Sequence, residues 1–352
     1  MEYRRPGGDV GARRGPSPAG VRHVPRGIAG PISADVTQNS SPTAAAVRAI
    51  IRSGDAELPL PGGGSTAARW ARLTQWCRHD LSVGRLLEAH VDADAILAEV
   101  DGTRAGRNEF WGVWASEPPH PVLDASHDAA GWRLRGTKAW CSGASMCTHA
   151  LVTARVGEQP RLFAVDLREP GVTAGHGGWR NPGMAATDTE SVTFDGVPAR
   201  PIGAADEYLD RPGFWHGGIG VAACWFGGAL AVAEPLRVRA RGGRADSHQL
   251  AHLGAIDVAV SAARWAFEAA AGEVDASPLD RRSAQTRAFR VRALIERTAS
   301  DVIDRVGRAL GAAPLATDAG HARNVADLLV YIRQSHAERD LAALGALVAG
   351  ED

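Results

Sequence analysis

The sequence predicts an α+β protein with an N-terminal helical domain, a middle β-barrel-like domain and a C-terminal four-helix bundle. Its 352 residues exceed what a single hydrophobic core usually holds. Apolar residues recur with a helical period near both ends of the chain. Between these regions, short apolar runs alternate with turn residues, as in small barrels and sandwiches. We therefore expect a disordered tail over residues 1–42 and domains over residues 43–108, 109–211 and 212–352.

The composition narrows the function classes. The formal net charge is −1, with 45% hydrophobic and 22% charged residues, which is the balance of an ordinary soluble protein. This balance gives no basic surface for nucleic acid. The Arg-, Gly- and Pro-rich first 42 residues lack the apolar stretch of a secretion signal. Four cysteines without a metal-binding spacing predict reduced thiols in a cytoplasmic protein and no metal site.

Helical segments are expected on both sides of the middle region. The N-terminal ones cover residues 44–52, 66–78 and 80–99, and Ser65 is the expected N-cap of the second. The C-terminal region begins with an apolar helix that ends at Pro235 and continues with three apolar stripes. These stripes are Leu250, Leu253, Ile256, Val260 and Phe267; Val291, Ile295, Val302, Val306 and Leu310; and Val325, Leu328, Leu329 and Ile332. Four such helices joined by short loops predict a bundle.

The apolar segment 214–233 carries no charge and approaches the length of a membrane span. It is rich in glycine, however, and no second span accompanies it. A helix surrounded by other helices has the same pattern. We therefore expect this segment to be buried in the bundle, and we expect no membrane association.

Common catalytic motifs do not account for this chain. Residues 62–65 (GGGS) open a helix without a preceding strand or a G-K-[ST] element, so they predict a capped turn rather than a phosphate loop. Neither a dinucleotide-binding G-x-G-x-x-G nor a zinc-binding H-E-x-x-H occurs. The segment around Ser142 does not form a G-x-S-x-G elbow. A nucleophilic Cys141 stays open, although buried structural cysteines are more common.

Strands are expected at residues 132–134, 138–140, 150–153, 161–167 and 191–194. One of them lies in the block GTKAWCSGA, residues 136–144. Here the aromatic Trp140 is followed two residues later by the hydroxyl of Ser142. Such a pair at the end of a strand can stack on a flat ring and supply one hydrogen bond. The alternative is an ordinary strand with a core tryptophan.

This block and its neighbours resemble the acyl-CoA dehydrogenase family. In that family the middle domain carries T-E-P, then G-x-K-x-W-[IC]-[TS]-[NG]-[AG], and then G-M, S-x-T and F-x-x-V-x-V-P stretches. The corresponding segments here are 116–118, 136–144, 183–184, 187–189 and 194–198. The order of helices, β-domain and four-helix bundle is also the family order, and the resemblance covers about residues 58–345.

The resemblance implies an FAD-dependent enzyme that removes the α-hydrogen of an acyl thioester as a proton and transfers the β-hydrogen to flavin as hydride. It places Trp140 against the isoalloxazine, Ser142 near flavin N5, and Ala115 and Ser116 at the pyrimidine edge. Thr189, in the segment that matches S-x-T, is the remaining candidate cofactor contact from the middle domain.

The resemblance also concerns phosphate binding and partners. The arginine- and glycine-containing motifs that hold the flavin phosphates in the family are missing or replaced here. Arg308 is the candidate replacement as a phosphate ligand. The implied partners are an acyl-CoA or related substrate and an electron-transfer flavoprotein. Further copies of the chain, or a related subunit, are also implied, because family FAD sites lie at subunit contacts.

The family's proton-abstracting glutamate is missing from both of its usual positions. One position aligns with Gly217, and the other falls near Ser335 and His336. Histidine is a competent base near neutral pH, and flavin monooxygenases of this fold carry one in a comparable C-terminal helix. We expect His336 on the apolar stripe of the last helix, either as the base or as a core or interface residue. Asp327 either orients a catalytic group or faces solvent.

Three hypotheses remain at this point. The first is an acyl-CoA dehydrogenase-like enzyme with His336 as its base. The second is a flavin-dependent monooxygenase on the same fold, which consumes oxygen with reduced flavin. The third is a catalytically degenerate subunit of a heteromeric acyl-CoA dehydrogenase, which does not hold FAD alone.

Overall fold

The structure is a computed structural model that describes residues 41–116 and 118–350. The expected disordered tail, up to residue 40, and Glu117 lie outside the described residues. The N-terminal helices are α1 (Pro42–Ser53), α2 (Thr66–His79) and α3 (Leu81–Val100). The C-terminal helices are α4 (Glu207–Asp210), α5 (Pro212–Arg241), α6 (Ser247–Ala276), α7 (Arg281–Leu310), α8 (Ala313–Thr317), α9 (Ala319–Tyr331) and α10 (Glu338–Ala349). The α+β class is confirmed, with helices before and after a central sheet.

The strands between them form a single mixed sheet. They are β1 (Trp111–Trp114), β2 (Leu123–Asp128), β3 (Gly131–Cys141), β4 (His149–Val156), β5 (Gln159–Asp166), β6 (Val172–Ala174), β7 (Glu190–Pro198) and β8 (Arg200–Ile202). Their order is β6-β7-β3-β2-β4-β5-β8, and β1 pairs in parallel with β4. The apolar runs 132–134 and 138–140 belong to one continuous strand, β3. The sequence pattern missed β1, β2, β6 and β8 because they are short or carry polar residues on both faces.

The N-terminus of α2 is capped by a residue of another helix, far along the chain. Ser65 occupies the N-cap position, but its side chain makes no capping hydrogen bond, contrary to the prediction. Instead, the Asp275 carboxylate of α6 accepts hydrogen bonds from the backbone N–H groups of Gly64 and Thr66, each at 3.1 Å. A carboxylate at a helix N-terminus satisfies free N–H groups and complements the helix dipole. This contact joins α2 to the bundle.

Helix α5 is the centre of the helical core. It is long and apolar enough to cross a membrane, but 83% of its most apolar window is buried inside the protein, as the bundle interpretation predicts. The helix does not end at Pro235; it continues to Arg241. Burial of Ala233 and Leu236 on either side explains why packing outweighs the hydrogen bond that proline removes.

Most predicted stripe residues face the core, and two do not. Leu250 is 50% exposed and Leu329 is 49% exposed. Leu250 lies in the first turn of α6, at the end of the packed region. Leu329 lies one residue after the fully buried Leu328, which turns it about 100° away from the core.

Candidate functional site

A cavity of about 670 Å³ opens where the sheet meets α3, α5 and the end of α9. This volume lies within the usual range of small-molecule sites. The cavity brings together most of the residues singled out in the sequence: Ala115, Ser116, Trp140, Ser142, Thr189 and His336 all line it. Arg308 does not. It lies near the end of α7, largely exposed, and pairs with Asp304 at 3.4 Å.

Trp140 is held out into the cavity by an irregularity in β3. The ladder between β3 and β7 shifts register between Lys138 and Cys141, and such bulges re-aim side chains. Trp140 has a φ of 61°, a left-handed conformation that is costly for a bulky residue. Its indole is 59% exposed and meets Trp179 edge to face at 6.2 Å. Trp140 is therefore not a core residue, and more than half of its surface is exposed.

Cys141 has no features of a nucleophile. The side chain is fully buried, and its thiol donates to the Lys138 carbonyl at 3.3 Å. Burial raises the pKa of the Cys141 thiol to about 12. The thiol therefore stays protonated at neutral pH, and the thiolate that nucleophilic attack requires is not formed.

Hydroxyl groups form a continuous chain along one wall. Ser142 Oγ and Thr189 Oγ1 are 3.0 Å apart, and Thr189 Oγ1 lies 2.9 Å from Thr187 Oγ1. The Thr187 hydroxyl donates to the Met184 carbonyl at 2.7 Å. The Met184 N–H donates to the Asp327 carboxylate of α9 at 2.6 Å. Asp327 is 2% exposed, so it does not face solvent. It fixes the loop that carries the hydroxyl chain.

Helix α3 supplies the opposite wall with charged residues that the sequence analysis did not single out. Arg85, Glu88 and Asp92 line the cavity, and Arg85 Nη1 lies 2.7 Å from Glu88 Oε2. Burial raises the pKa of the Glu88 carboxyl to about 7, opposed by Arg85 and assisted by Asp92. Burial also raises the pKa of Asp92. Both protonation states of Glu88 are therefore accessible near neutral pH.

A sequence signal for these residues existed. Glu88 and Asp92 are four residues apart in a helix that is otherwise rich in leucine, valine and alanine. Carboxylates in such surroundings are seldom buried unless they are paired. The spacing alone does not reveal their partners, because the cations that moderate the pKa of Asp92 include Arg211, far along the chain.

Asp92 also occupies the corner where the sequence comparison placed a missing glutamate. A Cβ atom added at Gly217 would lie 2.7 Å from Asp92 Oδ1, closer than such atoms approach in proteins. The α5 backbone therefore approaches the carboxylate at a position that has no side chain. A carboxylate is present at this corner, but α3 supplies it rather than α5.

Two buried polar atoms at the cavity have no hydrogen-bond partner among the described residues: Arg85 Nε and the Tyr331 hydroxyl. Buried polar groups are normally satisfied, so these atoms indicate a polar ligand edge nearby. Together with the exposed ring of Trp140 and the Ser142 hydroxyl, they suit a planar ring with hydrogen-bonding edges. The residues present therefore fit the isoalloxazine ring that the family resemblance implies.

His336 lies at the rim of the cavity, but not on a helical stripe. Helix α9 ends at Tyr331, a short 3-10 turn follows, and His336 lies in the connection to α10. The chain leaves the helix at Ser335, which is extended, and Ala337 has a φ of 47°. The imidazole is 57% exposed, and its Nδ1 lies 3.1 Å from Asp340 Oδ1. The prediction that His336 lies on the apolar stripe of the last helix is therefore wrong. His336 and Trp140 nevertheless line the same cavity.

The arginines near the end of α5 do not line this cavity. Arg237, Arg239 and Arg241 belong to the last turns of the helix. Arg237 and Arg241 pair with Glu234, and Arg239 donates to a glutamine of α6 at 2.8 Å.

We compared this chain with known protein families, curated proteins and solved structures. Residues 119–197 match the middle domain of acyl-CoA dehydrogenases. SfnC of Pseudomonas putida, a probable FMNH2-dependent monooxygenase, is 28% identical over 194 residues. This match covers 49% of the present chain and 49% of SfnC, about half the length of that curated relative.

Solved structures match over most of the chain. TdsC, a dibenzothiophene monooxygenase from Paenibacillus sp. A11-2, has a TM-score of 0.70 at 18% identity, covering 86% of this chain and 94% of TdsC. The Tcur3481–Tcur3483 steroid ACAD also has a TM-score of 0.70, at 22% identity, covering 88% and 90% of the two chains. The family resemblance is thereby confirmed for the middle domain and for the fold, which is that of the acyl-CoA dehydrogenases.

Proposed function

We propose that the protein is a monooxygenase that uses reduced flavin, and that FMN rather than FAD is its cofactor. The observation that carries this proposal is the group at the family's C-terminal base position. A dehydrogenase requires a glutamate carboxylate there, whereas this chain has a histidine paired with Asp340. SfnC and TdsC, similar to this chain, bear the names of monooxygenases.

The choice of FMN rests on the similar proteins. Arg308, the candidate ligand of an FAD phosphate, lies outside the cavity of its own chain and is paired with Asp304, so it adds no support for FAD within one subunit. SfnC is named as FMNH2-dependent, and TdsC has been solved with bound FMN. FMN ends at one phosphate and carries no adenine, so it needs no adenine-binding surface.

The flavin, when bound and reduced, supplies the electrons that activate oxygen for insertion of one oxygen atom into the substrate. The residues of this chain have separate tasks. Trp140 orients the ring by stacking, and Ser142 with Thr189 contacts its edge. Ala115 and Ser116 contact the pyrimidine end.

Proton handling is divided between the rim and the interior. Because Asp340 faces Nδ1 of His336, the neutral imidazole leaves Nε2 free to accept a proton at the rim. Glu88, whose carboxyl pKa is raised to about 7 by burial, holds or releases a proton at the inner wall. A group that titrates near the working pH is suited to both directions of transfer.

The substrate class follows from the rest of the lining. Val113, Val221 and Val330 contribute apolar surface beside Tyr208, which suits a small, largely apolar molecule. TdsC acts on dibenzothiophene and has been solved with indole. We therefore propose an aromatic heterocycle or a small organosulfur compound as substrate. We also propose a separate flavin reductase as partner, a cytoplasmic location and assembly into an oligomer.

The test supplies FMN, NADH and a flavin reductase, and measures oxygen uptake and oxygenated product over a panel of such substrates. Product formed in proportion to oxygen, with catalase present, is the expected result. Oxygen uptake without product over the whole panel, together with bleaching of bound flavin by acyl-CoA thioesters without oxygen, would overturn the proposal.

Dehydrogenation of an acyl thioester is the second candidate, favoured by one observation. The Asp92 carboxylate lies at the corner of Gly217, where some family members carry their base. Asp92→Asn separates the two candidates. A dehydrogenase that uses this carboxylate loses anaerobic flavin reduction, whereas a monooxygenase retains binding of reduced flavin. Failure to bind either FMN or FAD would instead favour the degenerate-subunit hypothesis.

A further inference from the structure

The hydroxyl chain of Ser142, Thr189 and Thr187 has a defined direction. Each hydroxyl has one proton to donate. The Met184 carbonyl can only accept, so the Thr187 proton is committed to it at 2.7 Å. Thr187 must then accept from Thr189 at 2.9 Å, and Thr189 in turn must accept from Ser142 at 3.0 Å. The Ser142 proton is therefore directed along the cavity wall to Thr189 and is not available to a ligand.

This direction is held by burial. Thr187 is 1% exposed and Thr189 is 8% exposed, so water does not compete for their protons. The carbonyl that ends the chain is fixed because the N–H of the same residue, Met184, is bound by Asp327 at 2.6 Å. Reversal of the chain would withdraw the Thr187 hydroxyl proton from the Met184 carbonyl and so lose a short hydrogen bond at a buried site.

Ser142 Oγ consequently offers only lone pairs to a ligand. The N5 atom of a flavin is a hydrogen-bond acceptor when the ring is oxidised and carries a proton when the ring is reduced. An acceptor placed beside N5 matches the reduced ring and leaves the oxidised ring without a donor. We propose that this polarised hydroxyl chain makes the site selective for reduced over oxidised flavin. This inference rests on the proposed function and on the position of Ser142 near N5 that the family resemblance implies.

The experiment compares Thr187→Val with Thr187→Ser in the full chain. Valine keeps the shape but removes the hydroxyl that accepts from Thr189, so the Thr189 proton is free to turn toward Ser142, and Ser142 is free to donate to a ligand. The Met184 carbonyl keeps one donor, the backbone N–H of residue 187 at 3.1 Å. Serine retains the chain and serves as the matched control.

The readout is the ratio of two dissociation constants, for oxidised FMN by fluorescence quenching and for reduced FMN under anaerobic conditions. The unmodified protein is expected to bind reduced FMN more tightly. Thr187→Val should lower its selectivity by about three- to tenfold, the contribution of one hydrogen bond, and Thr187→Ser should not. For a two-electron couple, this change lowers the midpoint potential of bound FMN by about 15–30 mV.

The outcomes separate this inference from the function. If neither form of FMN binds the unmodified protein, the proposed function is wrong. If FMN binds but the oxidised form binds as tightly as the reduced form, the selectivity is refuted. Equal selectivity in the valine variant and the unmodified protein, with both folded by circular dichroism, would show that the hydroxyl chain is not its source.

Discussion

The buried Glu88 carboxyl makes a prediction about stability that does not depend on any substrate. Its pKa is raised from 4.5 to about 7, mainly by burial. Between these values the folded protein keeps a proton on Glu88 that the unfolded chain has released. The free energy of unfolding should therefore be highest below pH 4.5 as far as this group is concerned, and fall as the pH rises through 7.

The size of the effect follows from the pKa difference. At about 1.4 kcal/mol for each pKa unit, the change from 4.5 to about 7 corresponds to roughly 3 kcal/mol. The Glu88 side chain is only 6% exposed, so screening by solvent does not reduce it substantially. Glu88→Gln removes the titration and keeps a polar group beside Arg85.

The assay is urea unfolding of the unmodified protein and of Glu88→Gln from pH 5 to pH 8. The stability of the unmodified protein relative to the variant should decrease by about 2–3 kcal/mol over this interval. Glu158→Gln, at an exposed position, is the matched control for the loss of one carboxylate. A difference between unmodified protein and Glu88→Gln that stays constant within about 0.5 kcal/mol, roughly the extrapolation error, would refute the raised pKa.

Three further predictions concern the walls of the cavity. Trp140→Ala should weaken FMN binding by about ten- to hundredfold, the value of one aromatic stacking contact, and Trp140→Phe by less; equal losses in fluorescence titrations would argue against stacking. His336→Ala should lower oxygenation by about a hundredfold without changing the dissociation constant of FMN, and Asp340→Asn should give a smaller loss; a parallel fall in FMN affinity would instead indicate a structural role. Gly183→Ala should cost about 1–3 kcal/mol in urea unfolding, because its Cβ would overlap an α9 carbonyl; unchanged stability would contradict this close approach.

The features that local pattern determines could be predicted from the sequence. Helical periodicity located α1, α2 and α3 to within two residues at each end and found the apolar stripes of α6 and α7. The G-x-K-x-W block identified Trp140 and Ser142 as candidates from the sequence. A local irregularity of β3 directs the Trp140 side chain.

The features that depend on distant partners could not be predicted. The role of Asp92 depends on Arg211 and on the absence of a side chain at Gly217, which come together only in the folded chain. His336 was misplaced because its apolar neighbours continue the α9 period, whereas the backbone leaves the helix at Ser335. The cap of α2 was missed because it comes from Asp275, in another helix.

The close packing of α5 limits the substitutions that could change the substrate specificity of this protein. A Cβ at Gly227 would overlap the Thr74 carbonyl, and one at Gly228 would lie 2.7 Å from Leu81. Among the described lining residues, α5 contributes only Val221 to the cavity. Larger side chains on this helix would force its neighbours apart before they reached a ligand. Substitutions that reshape the cavity without disturbing the packing are therefore to be sought on α3 and in the segment after α9 rather than on α5.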